Sequence, residues 1–157
     1  MSGQIRTKNN HYPIKSDTTY LDHCFGDIPG KTAWHWLAVQ NKDFMLSSLI
    51  NYGSHSQKYT QFFFNNRWVR LNQDVSFEYD INHITGPWKL TSPDLDLSIS
   101  IIAYRKKITT IPPLFGFFHN TTHWEFLTEV TGSVKIDNEW YDTGVMIGVM
   151  EEHYGKW

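Results

Sequence analysis

Residues 144–150 read GVMIGVM, a run without a polar residue on either alternation. Side chains on a strand point to opposite faces in turn, so such a strand needs both faces covered or lining an enclosed space. Gly148 would weaken a flat strand and suits a bend at a barrel corner. Outward from this run, from Tyr20 onward, short apolar segments alternate with turn signals about every ten residues, the pattern of an all-β chain. Many strands, no covering helices and strands apolar on both sides are met most simply by an antiparallel β-barrel of about nine strands. An open sandwich is the alternative.

The flanking segments fit. Residues 33–40 (AWHWLAVQ) form a strand closed by Asn41-Lys42. Residues 43–53 (DFMLSSLINYG) have a helix cap at Asp43 and a stop at Gly53, but the tight turn before them favours a strand. Residues 58–64 and 67–71 flank Asn65-Asn66, a pair that tolerates the positive φ of a hairpin turn. Further strands are expected at 75–79, 88–91, 95–104, 124–136 and 140–150, with turns at Ser92-Pro93-Asp94 and Asp137-Asn138-Glu139. Residues 1–19 are polar and aperiodic and read as a flexible lead-in, leaving residues 20–157 as one barrel domain.

Composition narrows the classes. The chain has 157 residues, 14 Lys+Arg and 16 Asp+Glu, for a net charge of −2, which disfavours a dedicated nucleic-acid binder. The single Cys24 makes no internal disulfide. No run approaches the roughly 18 apolar residues of a membrane span, and residues 1–10 are too polar for a signal peptide, so a cytoplasmic location is expected. Aromatic residues make up 16% of the chain, which points to packed β-structure or an aromatic-lined pocket.

Several polar groups are candidates for chemistry. In Trp34-His35-Trp36 the tryptophans share one face and His35 takes the other. Either the tryptophans are core, or Trp34, Trp36 and Gln40 surround a hydrophobic ligand, with Gln40 as polar anchor. Trp88 and Trp124 would add to that aromatic wall. Glu151 and His153 continue the alternation of Val145, Ile147 and Val149, so they would extend an apolar line into the barrel, where a carboxylate's pKa rises and it can move protons near neutral pH. Asp22-His23 suggests a general base, although neighbours in an extended segment do not face each other. His119, His123 and Glu125 invite a metal, and on a strand His123 and Glu125 point the same way as two ligands, yet a third at a defined spacing is missing and Asn120-Thr121-Thr122 looks like a turn. A polar rim is the better reading, and neither metal nor cofactor is expected. Arg105-Lys106-Lys107 reads as a solvated strand end.

Three blocks carry a family resemblance. They are residues 21–40 (LDHCFGDIPGKTAWHWLAVQ), residues 65–97 with NNRWVRL, VSFEYD and GPWKLTSPDLDL, and residues 130–157 (VTGSVKIDNEWYDTGVMIGVMEEHYGKW). Together they resemble the C-terminal half of a family of unknown function that carries two lipocalin-like barrels and ends on Glu-Glu-His…Trp. That family is similar in style to the carotenoid hydratase (hydroxyneurosporene synthase), AttH and tocopherol cyclase group of calycins. Trp34, Trp36, Gly144, Gly148 and Glu151 carry the echo, while Cys24-Phe25-Gly26-Asp27 replaces the usual glycine-arginine block. The resemblance implies a lipocalin-like barrel without its N-terminal partner, working as a homo-oligomer or with a separate chain. It implies binding of a small hydrophobic, isoprenoid- or lipid-like molecule. A cofactor-free hydratase, isomerase or cyclase, with Glu151, Asp22 or His153 moving protons, is the second reading. A structural barrel with a filled core is the third.

Overall fold

A computed structural model describes residues 3–6, 8–14, 31–52, 58–71, 74–114 and 117–156. Every regular element among the described residues is a strand: β1 (Gly3–Arg6), β2 (His11–Ile14), β3 (Lys31–Gln40), β4 (Met45–Asn51), β5 (Lys58–Phe64), β6 (Arg67–Arg70), β7 (Ser76–Glu78), β8 (Trp88–Ser92), β9 (Leu95–Leu114), β10 (Phe117–Ile136), β11 (Glu139–Asp142) and β12 (Met146–Lys156). β1 and β2, within the segment expected as a lead-in, pair with each other. The main sheet runs β6-β5-β4-β3-β12-β10-β9-β8-β7, with β11 beside β10, and its neighbours are antiparallel. Nine strands along this path match the expected number.

The sheet is curled. Five strand spacings separate β3 from β7, about 24 Å on a flat sheet. Yet the rings of His35 on β3 and Phe77 on β7 lie 5.3 Å apart. One face has therefore closed on itself into a half-barrel, a lipocalin-like fold left open between β6 and β7. Leu37, Leu46, Phe62, Trp88, Leu97, Phe126 and Met150 fill its inner face. Apolar burial of this kind, worth about 25 cal/mol per Å², is the main force holding the curl.

Turn chemistry follows the sequence. Asn65, Asn66, Asp137 and Asn138 all have positive φ, at the two tight hairpins where Asn and Asp tolerate it best. Asn41 Oδ1 accepts from the backbone N–H groups of Asp43 and Phe44 at 2.9 and 2.8 Å, so this side chain makes the turn that selects a strand over a helix for β4.

Four expectations are corrected. The run 144–150 is not covered on both faces: Met146 and Met150 are fully buried, while Val145, Ile147 and Val149 are 52%, 50% and 43% exposed. Nor do residues 140–150 form one strand. Gly144, at φ +61 and with its N–H donating to Asp142 Oδ1, breaks the segment into β11 and β12. Residues 120–122 are not a turn but lie inside β10, and β9 continues past Arg105-Lys106-Lys107 to Leu114. Asn120 and the lysines of the basic run weaken a strand signal that the long β9–β10 ladder overrides. Gly148 also marks a close approach to β3. A Cβ there would fall on the Ala38 carbonyl of β3 and within 2.7 Å of Val39 Cα.

Candidate functional site

The ladders sort the candidate residues onto two faces. On the outer face, one row across adjacent strands reads Lys107, His123, His153, Trp34, Asn51, and the next reads Arg105, Glu125, Glu151, Trp36, Leu49. Gln40 lies two residues beyond Ala38, beside Ile147 and Met45. Seven of the residues singled out in the sequence (Trp34, Trp36, Gln40, His123, Glu125, Glu151 and His153) therefore share the outer face. Trp88 and Trp124 lie on the inner one. Asp22 and His23 fall outside the described residues, as does Cys24.

The outer cluster is tightly built. The Trp34 ring stacks on His153 at 3.7 Å, and Trp34 Nε1–H donates to Glu151 Oε2 at 3.1 Å. His153 is only 8% exposed, and its Nε2 lies 3.0 Å from Thr32 Oγ1. Burial first, and then the neighbouring His123, hold its pKa down to about 4. His123 reaches Glu125 Oε1 at 3.6 Å through Nε2. Beside this cluster a groove of about 320 Å³ runs over Ala103, Leu127 and Val149, with Arg105, Glu125 and Glu151 along it. Among the described residues no group of three or more His, Cys, Asp or Glu is arranged to hold a metal ion.

The inner face carries a second polar row, Lys106, Trp124, Glu152, His35 and Ile50. Above the packed core, His35 is 9% exposed and ringed edge-on by Tyr52, Phe77, Tyr79 and Trp88 at 5.2–5.4 Å. Its Nδ1 lies 3.0 Å from Tyr52 Oη and its Nε2 3.4 Å from Tyr79 Oη. A neutral imidazole donates through one nitrogen and accepts through the other, so the two tyrosines and His35 form one polar chain. Burial lowers the His35 pKa to about 4 and keeps the ring neutral near pH 7. Burial also raises the Tyr52 and Tyr79 hydroxyls, Tyr79 further through Glu152 and Tyr52. Glu152 is half-buried, and its pKa is raised by burial against the opposing pull of Lys106 and His123. Lys106 Nζ sits 4.6 Å over the Trp124 ring, and Tyr79 stacks on Trp88 at 3.6 Å.

Sequence reasoning thus named Glu151 and missed its neighbour Glu152, and it left His35, Tyr52, Tyr79 and Lys106 out of the site. The missing information was parity. Met146 and Met150 set one alternation of β12, Val145, Ile147 and Val149 the other, and both are apolar.

No helix among the described residues is long and apolar enough to cross a membrane. No curated protein and no solved structure matches the chain. A family model described as a domain of unknown function, DUF2804, matches residues 1–157. The chain belongs to the DUF2804 family.

Proposed function

We propose that the chain binds a small hydrophobic molecule bearing one polar group at the open end of its inner face. The observation that carries this reading is the neutral His35, held between two tyrosine hydroxyls inside an aromatic ring of side chains. A site for an apolar ligand needs mostly apolar walls and a few fixed polar groups to set orientation. Here Tyr52, Tyr104 and Tyr154 are exposed aromatics on the same inner face, and Trp124 stands beside Tyr104. The resemblance read in the sequence, carried by Trp34, Trp36, Gly144, Gly148 and Glu151, is what favours an isoprenoid- or lipid-like ligand, held by a homo-oligomer or beside a separate chain. Location in the cytoplasm belongs to the same reading.

Native mass spectrometry after gentle purification, followed by titration with farnesol and cis-parinaric acid, tests it. We expect a copurifying mass or saturable binding, weakened at least tenfold in His35→Ala. Absence of both in the parent chain would leave the filled-core reading in place. The acid–base reading moves from Glu151 to Glu152, the carboxylate that shares the inner face with the Trp124 π-face. Turnover lost in Glu152→Gln with ligand binding retained would separate an enzyme from a binder.

A further inference from the structure

The outer face holds a pair of imidazoles that ligand binding on the inner face does not use. His123 on β10 and His153 on β12 are directly opposite in the ladder, and their Nδ1 atoms lie 3.4 Å apart. That separation is a long contact for an N–H donor, like the one between His35 Nε2 and Tyr79 Oη. It equals the edge between two nitrogens on a tetrahedral ion with metal–nitrogen bonds of about 2.0–2.1 Å. Each ring's other nitrogen faces an oxygen: His153 Nε2 meets Thr32 Oγ1 at 3.0 Å, and His123 Nε2 meets Glu125 Oε1 at 3.6 Å. Histidines that ligate metals commonly donate their second N–H to an oxygen, and a proton on His153 Nε2 donating to Thr32 Oγ1 leaves the Nδ1 lone pair bare for an ion.

The surroundings hold this geometry. Trp34 stacks flat on His153, and Glu151 fixes Trp34 through the indole N–H. Gly155 leaves room for the pair: a Cβ there would come within 2.8 Å of both His153 Nε2 and Thr32 Oγ1. His153 is buried, whereas the His123 side chain is 21% exposed, so the pair opens to solvent on one side. Glu125 and Glu151 supply negative charge in the next row, set against Arg105 and Lys107 on β9.

We propose that His123 and His153 form a two-histidine site for an imidazole-preferring divalent ion of the Zn²⁺ or Cu²⁺ class, water completing the coordination. Imidazole donors suit these two ions, and the copper end of the series binds nitrogen sites more tightly. With two protein donors the ion is exchangeable and keeps open positions.

The test uses the whole chain. Cu²⁺ titration followed by tryptophan fluorescence should quench saturably at one ion per chain, because the stacked Trp34 lies against a ligand. Cu²⁺ EPR should show coupling to two nitrogens, and Zn²⁺ should compete. His123→Ala, at a partly exposed position, should weaken binding at least tenfold, while His83→Ala on the exposed turn should not. Nitrogen-15 NMR of the free chain should place the ring proton on Nε2 of both histidines, with the Nδ1 signals moving on Zn²⁺ addition. Unchanged affinity in His123→Ala, single-nitrogen coupling, or a proton on His153 Nδ1 that Zn²⁺ leaves in place would each overturn the proposal.

Discussion

At the scale of single residues, the half-barrel keeps its polar groups by boxing them rather than by hydrating them. His35 stays uncharged because protonation would put an ion among Phe77, Tyr79 and Trp88, with two tyrosine hydroxyls as its polar partners. Its pKa falls from 6.5 to about 4 through burial. Between those values the unfolded chain binds a proton that the folded chain refuses, so stability is complete above pH 6.5 and is lost as pH falls toward 4. For His35 that loss is on the order of 3 kcal/mol. Thermal melts from pH 8 to pH 4 should show it as a falling Tm. In His35→Phe the melt at pH 8 drops, since both tyrosines lose a partner, but the decline below pH 6.5 becomes shallower. The remaining slope comes from His153, whose pKa burial and His123 also lower, offset by Glu152, whose raised pKa works in the opposite direction. An equal slope in parent and variant would mean that His35 is protonated as easily when folded as when unfolded.

At the scale of elements, β12 is the hinge of the architecture, paired to β10 on one side and β3 on the other. Gly148 lets β3 approach so closely that any side chain would strike the Ala38 carbonyl. Replacing it with alanine should cost about 3 kcal/mol through forced backbone shifts, as overpacking does. Val149→Thr, one residue on but 43% exposed, should stay within about 0.5 kcal/mol. Urea denaturation measures both; similar losses at the two sites would contradict the close packing of β3 on β12. The same strand shows what the sequence discloses. Its existence, its turns and its neighbours were legible, because asparagine turns and alternating apolar runs are local signals. Which face is core was not, because Val145, Ile147 and Val149 are as apolar as Met146 and Met150 and only the ladder to β3 and β10 separates them. One step of parity moves Glu151 and His153 outside and brings Glu152 in, so the fold was read more surely than the site. The length of β9 was hidden for a different reason. Arg105 and Lys107 look like a strand end in sequence, yet they sit mid-strand beside Glu125 and His123, and charges are a common guard on strand edges.

For the whole molecule, the open seam between β6 and β7 sets how the half-barrel holds its curl. Two kinds of contact bridge distant parts of the sheet. One is aromatic: Trp88 on β8 packs on Tyr79, on His35 of β3 and on Phe126 of β10. The other joins β6 to the β10–β11 turn through the Arg67–Asp137 ion pair, whose side chains are 54% and 67% exposed, near the Phe64–Tyr141 ring contact. Exposed ion pairs contribute about 0–1 kcal/mol, because water screens them and holding two long side chains costs entropy. A buried aromatic removed to alanine costs about 3–5 kcal/mol through lost transfer energy and the cavity left behind. Trp88 is 1% exposed and touches both sides of the curl, so the aromatic cluster is the latch. Trp88→Ala should therefore lower the denaturation midpoint sharply, with far-UV circular dichroism and the remaining tryptophan fluorescence falling together, because one core serves all the strands. Arg67→Ala should leave the midpoint within about 1 kcal/mol of the parent and insensitive to salt. If Arg67→Ala instead proves the costlier change, the half-barrel is held shut at its rim and not from its core.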